Sequence, residues 1–245
     1  MSRPRVSRSG IPLAASPETH DLVLEWMATI PPPQRRAPVL DCPAGRGALA
    51  HELAALGFQV VAADLGGEHE GRGYARVRLD LNRPLPFADA TFSAVTCIEG
   101  IEHLERPVDA LREFRRVLVG GGALVLTTPN VLHLGSRVRM LLTGFPTAAP
   151  RPFDPEQAPT SYEHIMLLAF PLLVYFLRRA GFAIERMETN RVVKGSLPWA
   201  WLAPVAAVVT RLALGGSARV PGSRWSLTDR RLLFGHTLCV FCRAK

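Results

Sequence analysis

The stretch VLDCPAGRGALAHELAALGFQVVAAD, residues 39–64, leaves the chain few folds to choose from. A short apolar run ends in Asp41, and a glycine-bearing turn at 42–47 opens the helical segment ALAHELAALG. Gly57 closes that helix, and FQVVAAD is a second strand ending in Asp64. Two strands joined through a helix cannot form a hairpin, so the crossover makes them parallel.

The pattern then repeats. ARVRLD reads as a third strand ending in Asp80, and the β-branched run TFSAVTCIEG as a fourth, buried one. Pro107 starts a helix with Val108, Leu111, Phe114 and Leu118 on one face, Gly120-Gly121-Gly122 ends it, and ALVLTTPN is strand five. Between strands two and three the expected helix is missing, because GGEHEGRGY places four glycines in nine residues. Upstream, Ser16-Pro17-Glu18 is a helix start, Leu22, Val23, Trp26, Met27 and Ile30 repeat at helical spacing, and three prolines at 31–33 stop it. Downstream come a helix from Pro171 to Ala180, the strand FAIERME and a last strand, HTLCVFCR. The expected fold class is therefore α/β: a doubly wound, mostly parallel seven-stranded sheet with an antiparallel last strand.

With 48% apolar residues in 245, the chain can bury one large core, so residues 16–245 read as a single domain behind a flexible basic arm at 1–15. The arm lacks the apolar core of a signal peptide. The net charge of +8 would suit nucleic acid or an anionic surface, but the basic residues are scattered, which argues against nucleic acid. All but Lys194 and Lys245 of the 29 are arginine. Cys42, Cys97, Cys239 and Cys242 do not resemble a secreted disulfide framework, and the expected location is a reducing cytoplasm. Cys239 and Cys242 have C-x-x-C spacing, yet in a strand positions i and i+3 face opposite ways, so no metal site is expected.

Residues 131–165 and 191–230 are less regular. The second contains SLPWAWLAPVAAVVTRLAL, which Pro198, Pro204 and Arg211 interrupt and which is too short to span a bilayer comfortably. It reads as a buried or interfacial hairpin or a substrate lid, with peripheral membrane contact through 197–214, and so a membrane-associated location, as the alternative. The sequence does not speak to oligomeric state.

Ligands of such sheets bind at the carboxyl ends of the strands, where Asp41, Asp64, Asp80 and the EGIEH segment fall. The run from Gly45 to Ala50 also fits the loose Gly-x-Gly-x-x-Gly/Ala pattern of dinucleotide sites, which would make the chain an NAD-dependent oxidoreductase. Asp41 argues otherwise, because a carboxylate pressed toward a pyrophosphate repels it.

VLDCPAGRG, Asp64, Asp80 with PLPFADATFSAVTCIEGIEHLERP, and LREFRRVLVGGGALVLTTPN resemble, in order, the successive motifs of the class I S-adenosylmethionine-dependent methyltransferases. The likeness is to the branch holding ubiquinone-biosynthesis-type and cell-envelope methyltransferases; it covers residues 38–130 and, less fully, the segment YEHIMLLAFPLLVYFLRRAGF. It implies a Rossmann-like fold, S-adenosyl-L-methionine as cofactor, and methyl transfer to a small-molecule acceptor, hydrophobic or lipid-linked in this reading. A non-catalytic binding module of the same fold is a third reading. The implied cofactor-binding residues are Asp41, Pro43, Ala44, Gly45, Gly47, Asp64, Leu65, Asp80, Leu81, Glu99 and Gly100. Physical chemistry suits them to this ligand, which carries an ammonium, a sulfonium and ribose hydroxyls but no phosphate. Asp41 can accept from the ammonium, Asp64 from the ribose diol and Asp80 from the adenine amino group, while Gly45 and Gly47 clear side chains from the ligand's path. Glu99 and Gly100 shape the site beneath the sulfonium. His103 and then His164 are the candidate catalytic bases for a hydroxyl acceptor. Pro43 and Ala44 depart from the family pattern, which has a glycine and a small residue there.

Overall fold

The computed structural model describes residues 6–66, 70–147, 164–214 and 218–245. Its seven strands are β1 (Val39–Asp41), β2 (Val60–Asp64), β3 (Ala75–Arg78), β4 (Phe92–Ile98), β5 (Leu118–Pro129), β6 (Phe182–Thr189) and β7 (Thr237–Ala244). They form one sheet in the order β3-β2-β1-β4-β5-β7-β6. The first five are parallel, and β7 runs antiparallel to both its neighbours, as expected from the sequence.

Side chains alternate across this sheet, and so do their partners. Val39, Val60, Ala94, Val125 and Phe241 pack toward α1 (Pro17–Ala28) and α2 (Ala48–Ala55), which contribute Val23, Met27, Leu49 and Leu53. Leu40, Val95, Leu124 and Val240 pack on the other face against α3 (Pro107–Val117) and α5 (Phe170–Arg179), through Leu111, Phe114, Phe170 and Leu173. Both faces are thus dry, which is why these strands read as near-continuous apolar runs. Cys239 belongs to the first cluster and Cys242 to the second, so the C-x-x-C thiols lie on opposite faces.

Several expectations need correction. Gly120-Gly121-Gly122 does not end α3, which stops at Val117; the glycines lie inside β5. Phe92 pairs with Leu118 but Ala94 with Ala123, so β5 bulges there, and Gly121 takes φ +72. The third strand ends at Arg78, two residues before Asp80, because Asp80 Oδ1 accepts the Asn82 N–H at 2.9 Å and closes a turn instead. Residues 6–15, expected to be part of a flexible arm, pack on the body. Ile11 is buried, the Arg8 N–H donates to Glu52 at 3.1 Å, and the Arg8 guanidinium pairs with Asp21 at 2.5 Å; residues 1–5 lie outside the described part.

The apolar hairpin is not buried either. It forms a 3₁₀ turn (Lys194–Trp199) and a helix, α6 (Leu202–Ala213), in which no residue is buried. A further helix, α4 (Leu134–Thr143), follows β5. Among the described residues no helix is long and apolar enough to cross a membrane.

Candidate cofactor and acceptor site

The strand order reverses between β1 and β4, which opens a crevice at their carboxyl ends. One wall is the turn 42–47. Gly45 (φ +52) and Gly47 (φ +82) occupy the left-handed region, which suits glycine, and a Cβ on Gly45 would meet nothing within 4 Å. The turn ends in α2, with Gly47 as its N-cap.

One acid holds this turn and a second lies buried beside it. Asp64, at the end of β2, accepts the Gly45 N–H at 2.7 Å with Oδ2 and the Gly66 N–H at 2.9 Å with Oδ1, leaving lone pairs on both oxygens for a further donor. Asp41 is 1% exposed. Its Oδ1 accepts the Thr96 hydroxyl at 2.7 Å, and its Oδ2 is buried without a hydrogen-bond partner. Burial, with Asp64's charge added, pushes the Asp41 carboxyl up from 3.8 to about 7, and the Thr96 hydroxyl and the Ala50 backbone N–H only partly offset this.

The other wall is the exit of β4. Glu99 adopts φ +47, a costly conformation for a residue with a side chain. Its N–H donates to Thr127 Oγ1 at 2.9 Å, and its Oε1 accepts the Thr237 hydroxyl at 3.3 Å, tying it to β5 and β7. Gly100 faces the first wall: a Cβ there would stand 2.3 Å from Pro43 Cδ. The proline that departs from the family pattern and the glycine after Glu99 therefore fit each other. Leu65 is 53% exposed. Leu81, by contrast, is buried in the core, so only its backbone is left to face a ligand.

The short segment replacing the second helix packs on the glycine turn. Glu70 pairs with Arg46, its N–H donates to Arg46 O at 3.0 Å, and a Cβ on Gly71 would lie 3.0 Å from Gly47 O.

His103 and His164, 61 positions apart in the chain, come together with ring centroids 4.9 Å apart. Sequence reasoning passed over Glu102 beside them. It is fully buried, both carboxyl oxygens lack a hydrogen-bond partner, and burial, with the Glu99 charge added, pushes it up to about 8. The Glu102, His103 and His164 ligand atoms lie within 4.8 Å of one another, a donor set that suits a divalent transition metal. The sequence expectation of no metal weighed the cysteines and not this trio. Its signal was the glutamate-histidine pair at 102–103, but His164 could not be matched to it from spacing.

A family model described as a methyltransferase domain matches residues 40–126, which contain both walls of the crevice. Residues 40–126 are a methyltransferase domain. A ubiquinone biosynthesis O-methyltransferase from Xanthomonas oryzae is 36% identical over 104 residues, covering 38% of this chain and 44% of the relative. A demethylmenaquinone methyltransferase from Mycobacterium tuberculosis is 32% identical over 158 residues, covering 59% of this chain and 66% of the relative. The chain thus spans under half the length of the first relative and about two thirds of the second. An S-adenosylmethionine-dependent methyltransferase from Mesorhizobium loti shares the fold with a TM-score of 0.54 at 16% identity, covering 92% of this chain and 97% of its own.

The residues fit the family's methyl donor. Asp41 offers an unpartnered acceptor, Asp64 has lone pairs to spare, and the space over Gly45 is open. A pyrophosphate would instead meet two carboxyl groups, which disfavours the dinucleotide alternative.

Proposed function

We propose that this methyltransferase transfers a methyl group from S-adenosylmethionine to a hydrophobic, quinone-type small molecule. The observation that carries the cofactor half is Asp41 Oδ2, buried beneath an open glycine turn without a hydrogen bond of its own and with the Ala50 N–H as its backbone neighbour, so that a bound donor would complete it. The acceptor half rests on the relatives, one named for ubiquinone biosynthesis and the other for demethylmenaquinone.

Bound S-adenosylmethionine supplies an electrophilic methyl group on a sulfonium, so this chain's own contribution is alignment, exclusion of water and proton handling. In this reading Asp41 holds the ammonium, Asp64 the ribose hydroxyls and Asp80 the adenine amino group. Pro43 and Gly100 close the crevice between the two walls. His103 and His164 stand at the exit of β4, placed to take a proton from an acceptor hydroxyl as it is methylated. Burial favours the neutral form of Glu102, which keeps an uncompensated negative charge away from that pair when no cation is bound.

Two measurements test this. Calorimetry with S-adenosylhomocysteine should give binding at micromolar to millimolar levels; none at millimolar ligand removes the cofactor half. Mass spectrometry of a cell extract incubated with labelled methyl donor should place label in the organic-soluble fraction, and label confined to polar metabolites removes the acceptor half.

A further inference from the structure

Among the described residues, most of the exposed large apolar side chains lie on or beside α4 and α6. On α4 and just after it, Met140, Leu141, Leu142 and Phe145 are exposed, Leu141 to 84%. On α6 and the turn before it, Leu197, Trp201, Val205, Val208, Val209 and Leu212 are exposed. A helix of twelve residues with no fully buried side chain gains little from the core, and most helices owe their stability to packing an apolar face. Yet the two elements are held together. Ser136 N–H donates to His133 Nδ1 at 3.1 Å, which makes Nδ1 an acceptor, and the Ser196 hydroxyl lies 2.8 Å from the same nitrogen. Gly135 N–H donates to Ser196 Oγ at 3.2 Å, fastening the start of α4 to the turn that leads into α6.

Charge says what covers this face. Residues 131–147 and 191–214 contain no aspartate or glutamate, although the whole chain has 21. Four of their cations, Arg139, Arg191, Lys194 and Arg211, are exposed. Exposed apolar side chains and exposed cations on two segments that carry no acid match a bilayer with anionic lipid, where the apolar side chains enter the interface and the cations meet headgroups.

We propose that α4 and α6 dock this protein on an anionic phospholipid surface. α4 follows directly from the carboxyl end of β5, the side of the sheet that holds the crevice, so docking would present the site to a lipid-dissolved acceptor. That last consequence rests on the methyl-transfer reading; the docking itself does not.

The test is sedimentation of the full chain with vesicles of phosphatidylcholine alone or with about 30% phosphatidylglycerol. The expected result is binding to the anionic vesicles that weakens in high salt, little binding to the neutral ones, and a blue shift of tryptophan emission. The exposed variants V208E with L212E, and separately L141E, should lower binding about tenfold or more, and R139E with R211E by about fivefold per charge or more. Thermal melting and S-adenosylhomocysteine affinity should stay unchanged in each. Equal sedimentation of wild type and variants overturns the proposal. So does a dimer, seen by light scattering, that the same variants dissolve while no vesicle is bound. Vesicle binding without S-adenosylhomocysteine binding would leave the docking standing and sink the proposed function alone.

Discussion

Pro43 and Gly100 come from the two walls of the crevice and are in mutual contact: the proline ring fills the space that any larger residue at position 100 would need. The pairing turns a departure from the family pattern into a testable dependence. Gly100→Ala forces Pro43 or the β4 exit to move, at a cost of about 1–3 kcal/mol for overpacking. S-adenosylhomocysteine affinity should fall with it. Adding Pro43→Gly should restore most of both losses, and a double-mutant cycle with no coupling would show that the two walls act separately.

The Asp41 carboxyl sets a pH dependence whose sign can be worked out. Burial raises it to about 7 in the ligand-free fold, and an ammonium favours the ionised form, so binding below that pH must release a proton. S-adenosylhomocysteine affinity should be full above pH 7 and fall by up to about tenfold per pH unit beneath it. Asp41→Ala should cost about 1.5–3 kcal/mol of binding at pH 8, as for a lost charged hydrogen bond, and flatten the profile. Calorimetry in buffers of different ionisation enthalpy reads the proton directly.

His133 makes the α4 anchor acid-labile. Burial, with like charge from His236 and Arg137 added, lowers it from 6.5 to about 4. The unfolded chain therefore takes up a proton on acidification before the folded one does. Stability from this group is fully present above pH 6.5 and is lost as pH falls toward 4. His20, lowered by burial to about 4, acts in the same window and direction. The melting temperature should drop across that range, and His133→Gln should make the drop shallower. Ser196→Ala removes the partner at Nδ1 and should cost about 1 kcal/mol at pH 8.

His103 and His164 separate catalysis from binding. His103→Asn should lower turnover of a hydroxyl acceptor by about a hundredfold or more while S-adenosylhomocysteine affinity stays within error. His164→Asn should act less strongly. Parallel loss of cofactor affinity in both would make them part of the cofactor wall instead.

Order along the chain and the sheet's two dry faces were readable from residues alone, because near-continuous apolar runs, a glycine turn and a crossover helix are local signals. Asp41, Asp64 and the glycines were legible for the same reason: each sits at the end of a strand whose end the sequence marks. What took the folded chain to decide were meetings between distant residues. Asp41 is sealed under the turn because Thr96, directly opposite on β4, takes one of its oxygens, and pairing register is set by the whole sheet. The glycine triplet bulges inside β5 because β4 lies against it, though in isolation it looks like a helix stop. His164 reaches His103, and Gly100 reaches Pro43, through chain path that no spacing rule encodes. The exposure of α6 was likewise undecidable from its composition, since an apolar helix looks the same whether its partner is a protein core or a surface outside the molecule.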